Sequence, residues 1–143
     1  MHFVRAATLL LLLAQLAPGC ASNPSTAREH AVIQINSMKV APQILEISGS
    51  GNSIAFTNWS NSAATVQFPA SMVNAFTCED LRPQFVVSGD RIESVEVLGD
   101  SESLTTPCPL LPGTYAYEVW LSESRRDREN PRLKLKGTIV VAP

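Results

Sequence analysis

The sequence predicts an all-β fold, a two-sheet Greek-key β-sandwich of about seven or eight short strands. The chain has 143 residues, 17% of them charged, with ten prolines and seven glycines, a composition that disfavours helix bundles. Short β-branched or alternating segments recur between turn signals, as in sandwiches. No long segment has the 3.6-residue period of an amphipathic helix. The chain is long enough for one domain.

The predicted strands occupy residues 31 to 143, which we assign to one sandwich domain. They are the segments 31–35, 44–47, 53–58, 65–68, 85–87, 91–97, 114–121 and 137–141. Turn-forming sequences at 48–52, 88–90 and 112–113 separate several of them. Residues 70–81 are predicted to form one short helix or an irregular loop. The large side chains expected in the core are Phe56, Trp59, Phe68, Phe85, Tyr115 and Tyr117.

Residues 1–19 are predicted to be a lipoprotein signal peptide. Arg5 gives a short positive region, and an apolar run over 6–14 follows it, with leucine at every position from Leu9 to Leu13. This run is shorter than the roughly 20 residues needed to span a bilayer. Its length and position are those of the hydrophobic region of a signal peptide.

The end of this segment, Leu16-Ala17-Pro18-Gly19-Cys20, resembles a bacterial lipobox. The resemblance implies that Cys20 is lipidated and that 20–30 form a lipidated N-terminus and flexible tether. Several acyl chains would anchor the protein stably. It also implies a lipid-anchored location in the bacterial cell envelope, at the periplasmic face of the outer membrane if the host is Gram-negative. Ordinary signal cleavage nearby is the alternative.

The cysteines predict one disulfide. If Cys20 is lipidated, Cys78 and Cys108 remain, and a pair of cysteines in an exported domain most simply forms a bridge. The closed loop would contribute roughly 3–4 kcal/mol of stability. Two free thiols or a two-thiolate metal site are the alternatives.

Several motifs resemble those of the cupredoxins, in the family's order, over residues 31–143. They include Val40-Ala41-Pro42, a strand that ends in Thr57-Asn58, the segment 64–69, the sequence Pro112-Gly113-Thr114-Tyr115-Ala116-Tyr117 and the closing strand 137–141. The resemblance implies a two-sheet sandwich. It also implies, in the usual case, electron transfer at one copper ion held by two imidazoles, a thiolate and a weak axial ligand.

The copper ligands are missing from this sequence. The resemblance places the first histidine on Ala64, the cysteine on Val119, the second histidine near Ser122 and the axial methionine near Asp127. Apart from His2 in the signal peptide, the only histidine is His30, in the tether. This excludes a two-histidine copper centre, a histidine-based zinc site, a Ser-His-Asp triad and a Cys-His pair within the domain. We therefore expect no metal, no cofactor and no enzymatic activity.

The segment between the last two predicted strands is rich in positive charge. It carries Arg125, Arg126, Arg128, Arg132, Lys134 and Lys136 against Asp127 and Glu129. One interpretation is an anionic partner, such as lipid headgroups, lipopolysaccharide, a cell-wall polymer or an acidic protein face, bound by Arg125, Arg126, Arg128 and Arg132. The other is a solvated hairpin whose charges keep an edge strand soluble. The net charge of -2 argues against a nucleic-acid partner.

These features favour a membrane-anchored envelope lipoprotein whose copper-less cupredoxin-like domain is a binding or scaffold module. The alternative is a metal-handling protein with a non-standard site, built from His30, Met38, Met72 or the reduced thiols of Cys78 and Cys108. The two methionines are more simply explained as core residues. A third hypothesis is a subunit of a larger redox or uptake complex.

Overall fold

The computed structural model describes residues 31–48 and 51–143. In chain order the ten strands of this part are β1 (Ala31–Ile35), β2 (Val40–Ala41), β3 (Ile44–Ile47), β4 (Ile54–Asn58), β5 (Ala63–Pro69), β6 (Phe85–Ser88), β7 (Arg91–Ser94), β8 (Ser103–Thr105), β9 (Gly113–Ser122) and β10 (Leu133–Val141). The predicted signal peptide and tether, with Cys20, lie outside the described residues. Among the described residues, no helix is both long and apolar enough to cross a membrane.

The strands form two sheets, which confirms the predicted β-sandwich. The first has four strands in the order β2-β1-β4-β8, and the second has six in the order β3-β10-β9-β5-β7-β6. β1 runs parallel to β4 and β3 parallel to β10, whereas the other neighbours are antiparallel. The chain crosses between the sheets five times, after β2, β3, β4, β7 and β8, and the ends of β1, β4 and β9 meet at one end of the sandwich.

All eight predicted strands are present, and their limits differ by a few residues. β7 ends at Ser94 rather than at residue 97, and β10 begins at Leu133, four residues before the predicted start. β2 and β8 were not predicted, because segments of two and three residues carry too little alternation to detect. Residues 70–81 contain a short 3-10 helix, Ala70–Ala75, followed by loop.

The core lies between the sheets and is built on aromatic rings that meet edge to face. The ring centroids of Phe56 and Tyr117 are 5.4 Å apart, and those of Phe56 and Phe68 are 6.1 Å apart. Phe85 packs against Phe68 at 5.6 Å. Such pairs contribute on the order of 1 kcal/mol each beyond the area that they bury.

Some of the large side chains expected in the core lie elsewhere. Trp59 is 51% exposed, because β4 ends at Asn58 and the Trp59 amide turns to donate to the Ile35 carbonyl at 2.7 Å. Tyr115 is half-buried at the edge of the core, and its hydroxyl donates to the Leu111 carbonyl. The prediction of a core position is therefore wrong for Trp59.

The two candidate methionines also differ from each other. Met72 is buried, in agreement with a core role, whereas Met38 is 83% exposed and is not a core residue. Met38 lies in the turn between β1 and β2, beyond the reach of the inter-sheet core.

Tyr117 fills the centre of the core because its partner on β10 is a glycine. Gly137 lies opposite Tyr117, and a Cβ atom at Gly137 would lie 2.3 Å from the ring carbon Cζ of Tyr117. Only glycine leaves room for the ring at this position. The Tyr117 hydroxyl has no hydrogen-bond partner within residues 31–48 and 51–143, and burial raises the pKa of this phenol.

The predicted disulfide is present. Cys78 and Cys108 are bonded, with their Cα atoms 5.9 Å apart. The bridge joins the segment after the 3-10 helix to the segment before β9, where the Thr77 amide also donates to the Pro109 carbonyl at 3.0 Å. Neither the free thiols nor the two-thiolate metal site is therefore formed.

Candidate functional site

Four loops meet at the end of the sandwich where the resemblance places the copper ligands. They are the loops 36–39, 59–62, 95–102 and 123–132, and we call this end of the molecule the loop end. The Ser37 hydroxyl donates to the Ser60 carbonyl at 3.1 Å, and a guanidinium nitrogen of Arg132 donates to the Ser62 hydroxyl at 2.7 Å. These contacts hold the first, second and fourth loops together.

The residues at the expected ligand positions do not fit a copper ion. Ala64 is fully buried on β5 and exchanges two backbone hydrogen bonds of 2.8 Å with Leu98. Val119 is fully buried within β9, and Ser122 is buried at its end. A methyl group, an isopropyl group and a hydroxyl group provide neither the imidazoles nor the thiolate of a blue-copper site.

Asp127, near the position of the axial ligand, lies in a short 3-10 turn, Arg125–Asp127. Its carboxylate accepts a hydrogen bond of 2.6 Å from the Ser124 hydroxyl. This contact shapes the turn locally and leaves Asp127 exposed on the surface.

The candidate ligands of a non-standard metal site are not brought together. Met38 is at the loop end, whereas Met72 follows β5 at the opposite end, roughly 20 Å away along a seven-residue strand. Cys78 and Cys108 are bonded to each other, and His30 lies outside the described residues. Within the described part of the chain, no three His, Cys, Asp or Glu side chains form a group that could hold a metal ion.

The buried side-chain amide of Asn58 organises the loop end. Its nitrogen donates to the carbonyls of Ser62, Leu98 and Gly99, at 2.7, 3.0 and 3.1 Å. Its oxygen accepts hydrogen bonds from the Ser60 amide at 3.0 Å and the Ser60 hydroxyl at 2.6 Å. Asn58 is fully buried, so each of these bonds replaces a bond to water that the groups have lost.

Sequence reasoning identified Asn58 as the end of a strand motif and as a formal glycosylation acceptor of little weight, and not as the centre of a hydrogen-bond network. The available signal was the sequence Asn58-Trp59-Ser60-Asn61-Ser62, because asparagine and serine side chains commonly bond to nearby backbone groups in turns. The contacts to Leu98 and Gly99 come from 40 residues further along the chain and gave no local signal.

Arg128 fastens the loop 123–132 to the end of β7. Its guanidinium donates to the carbonyls of Ser94 and Val95, at 3.0 and 3.2 Å, and lies 3.5 Å from the Glu93 carboxylate. The Glu93 side chain is only 12% exposed and also lies 3.7 Å from Arg91. A carboxylate between two guanidinium groups keeps this buried charge compensated.

Arg125 and Arg132 also contact other parts of this chain. Arg125 forms an ion pair with Glu102, which in addition accepts a hydrogen bond of 2.7 Å from the Gly99 amide. The bond from Gly99, together with the one from Arg125, holds the pKa of the Glu102 carboxyl below its usual value. Arg132 donates to Ser62, as described above.

Of the four arginines predicted to bind a partner, Arg126 differs in having no side-chain contact of this kind. It is exposed, and it makes no ion pair or side-chain hydrogen bond to any residue in the described ranges. The two lysines of the basic segment lie outside the four loops, on β10, where Lys134 contacts the Trp120 ring and Lys136 lies near Glu118.

Comparison with known proteins gives a fold and no family. No model of a protein family matches the chain, and neither does any curated protein. Among solved structures, amicyanin from Paracoccus versutus (Thiobacillus versutus) matches with a TM-score of 0.51 and 15% identity, over 85% of this chain and 86% of that chain.

Two amicyanin variants match similarly. The reduced Cu(I) form of one at pH 4 has a TM-score of 0.51 and 16% identity, over 82% of this chain and 86% of that chain. The oxidized form of another has a TM-score of 0.51 and 15% identity, over 82% and 87%. Identities this low show a shared fold alone, and the fold of this chain is accordingly cupredoxin-like.

Replacing the Asn58 amide should destabilise the domain. We expect Asn58→Leu, a change of similar volume, to lower the free energy of unfolding by about 2–4 kcal/mol, because three carbonyls, an amide and a hydroxyl lose this partner in a buried site. Urea unfolding followed by circular dichroism measures the effect.

Thr57→Val is the matched control for this variant. It removes the exposed hydrogen bond of 2.9 Å between the hydroxyls of Thr57 and Ser103. We expect it to cost less than about 1 kcal/mol. Equal costs for the two variants would show that the Asn58 network is not what holds the loop end.

Proposed function

We propose that this protein is a lipid-anchored protein of the bacterial cell envelope and that its domain is a non-enzymatic binding module with a cupredoxin-like fold and no copper. The observation that carries the proposal is which residues occupy the positions where the resemblance places the copper ligands. Ala64 and Val119 are buried packing residues at these positions, and hydrogen bonds of the Asn58 amide hold the neighbouring loops in place. A module whose loops are held in place in this way loses little conformational entropy when it binds.

The contact surface that we propose is the exposed part of the loop end. Trp59 and Met38 lie on adjoining loops there, and both are largely exposed. Tryptophan and methionine are enriched in protein contacts, because tryptophan buries a large rigid area and methionine is flexible enough to adapt to its partner. Arg126 adds a positive charge that no described residue of this chain neutralises, which favours an anionic envelope component or an acidic protein face as the partner.

Membrane attachment rests on Cys20. Changing Cys20→Ser should move the protein from the membrane fraction to the soluble fraction of lysed cells and abolish incorporation of labelled palmitate, because the acyl chains supply the anchor. Ser22→Ala is the control and should remain in the membrane fraction. Retention of Cys20→Ser in the membranes would contradict lipid anchoring through this residue.

A copper titration separates the binding module from a metal-handling protein. Calorimetry of the full mature chain with Cu(I) and Cu(II) should detect no stoichiometric sub-micromolar site, and the Cu(II) complex should lack intense blue absorption, because the thiolate ligand is replaced by Val119. His30→Ala is the control, since it removes weak binding at the tether imidazole. Tight binding that survives His30→Ala would favour metal handling.

Capture of partners from native envelopes tests the contact surface. We expect Arg126→Glu to reduce crosslinked capture by about three- to tenfold, because reversing an interface charge weakens association with an anionic partner. Arg82→Glu makes the same charge change on a residue outside the four loops, and it should leave capture unchanged. If both variants capture partners as well as the wild type does, Arg126 is not part of the contact surface.

A further inference from the structure

A groove of about 740 Å³ crosses the outer face of the six-stranded sheet, the face turned away from the four-stranded sheet. Its lining comes from β3, β5, β9, β10 and the start of β7. This volume lies within the range of small-ligand sites, roughly 300–1,000 Å³. None of its lining residues belongs to the four loops of the loop end, although the core residues Phe68 and Tyr117 also line it and Arg91 pairs with Glu129 of the loop 123–132 at 3.1 Å.

The groove forms where one row of side chains across the sheet is small. Ala116 on β9 lies opposite Thr138 on β10, and Pro69 on β5 belongs to the same lining. Successive residues of a strand face opposite sides, so the next outward row is two residues away. That row pairs Glu118 with both Gln67 and Lys136, which are longer side chains. A low apolar floor therefore lies beside a row of polar side chains.

One wall of the groove is held in place. Trp120 is only 8% exposed although it faces outwards, because the guanidinium of Arg91 and the ammonium of Lys134 lie over its ring, at 4.6 and 4.0 Å from the centroid. Its indole nitrogen donates to the Glu118 carboxylate at 2.9 Å. A wall fixed by these contacts needs little rearrangement to bind a ligand.

The polar row offers hydrogen-bonding groups that the protein leaves unused. Gln67 is 6% exposed, and its side-chain amide bonds to no other residue of the described part of the chain. One oxygen of Glu118 accepts from Trp120, and the other lies 3.8 Å from the Lys136 ammonium, beyond a good hydrogen bond. The amide atoms of Gln67 still reach solvent, so they can bond a ligand that both donates and accepts.

The charges of the lining select against charged ligands. Asp90 and Glu118 are negative, and Arg91 and Lys136 are positive. A polyanion would be repelled by the two carboxylates, and a polycation would be repelled by the two cations. An uncharged ligand is repelled by neither pair of charges. A ligand that has both hydroxyl groups and apolar C–H faces can contact the polar row and the apolar floor at the same time.

We infer that this groove binds an uncharged polyhydroxylated ligand of the oligosaccharide type. Gln67 and Glu118 bond its hydroxyl groups, and Ala116 and Pro69 contact its C–H faces. The inference goes beyond the proposed function, because the groove and the loop end are different surfaces and the groove does not involve Arg126.

The two tryptophans of the chain provide the test. The full mature protein, labelled with ¹⁵N, is titrated with chitotetraose and cellotetraose, and the indole N–H signals are followed by NMR. The Trp120 indole bonds to Glu118 in the groove, whereas Trp59 lies at the loop end and serves as an internal control. We expect a saturable shift of the Trp120 signal and an unchanged Trp59 signal.

Two variants assign the shift to the groove. Ala116→Leu fills the exposed floor and should weaken binding at least about tenfold, whereas Ala142→Leu, the same change at an exposed site outside the lining, should not. Gln67→Leu removes the amide at similar volume and is the second variant if Ala116→Leu fails to fold. A similar loss for Ala142→Leu would overturn the assignment.

Charged probes complete the test. Heparin and oligolysine should shift the Trp120 signal less than the uncharged sugars do. A stronger response to either charged polymer would overturn the inference, as would a Trp120 signal that no sugar moves. Partner capture that depends on Arg126 is measured separately, so failure of the groove inference leaves the proposed function standing, and the reverse also holds.

Discussion

The amide of Asn58 is the contact on which the loop end depends. It is fully buried, and its nitrogen donates to three carbonyls while its oxygen accepts from Ser60. The backbone of Asn58 adds two bonds, since its amide donates to the Glu102 carbonyl and its carbonyl accepts from the Ser101 amide. Buried bonds in a low-dielectric network reinforce one another, and none can be lost without leaving another group unsatisfied. The loop 59–62 and the distant loop 95–102 are therefore fixed relative to β4.

Strand β9 presents two different faces. Its inward residues, Tyr117 and Val119, fill the core, and Val119 lies where the copper ligand of the fold would be. Its outward residues, Ala116, Glu118 and Trp120, form the floor and wall of the groove. The alternation of a β-strand thus separates a closed packing face from an open polar face. Beyond the end of β9, the arginines of the loop 123–132 fasten that loop to β7 and to the loop 95–102.

Local patterns in the chain were sufficient for much of the fold. Alternating apolar residues and Gly or Pro turns identify strands without knowledge of their partners, because each strand must present one face to a core. The pairing of Cys78 with Cys108 followed from the number of cysteines available. β2 and β8 escaped prediction because two or three residues become a strand only when a neighbour supplies the hydrogen bonds.

The sequence by itself determined the all-β class, the order of the main strands and the lack of imidazole and thiolate at the positions where the cupredoxin resemblance places the copper ligands, since these follow from residue type and short-range pattern. Only the tertiary structure decided which side chains meet. Trp120, within β9, is buried under two cations, whereas Trp59, directly after β4, is exposed to solvent. The tertiary structure also paired Arg128 with Glu93 across the fold. Contacts of this kind depend on strand register and loop paths, which bring residues far apart in the chain within a few ångströms of each other.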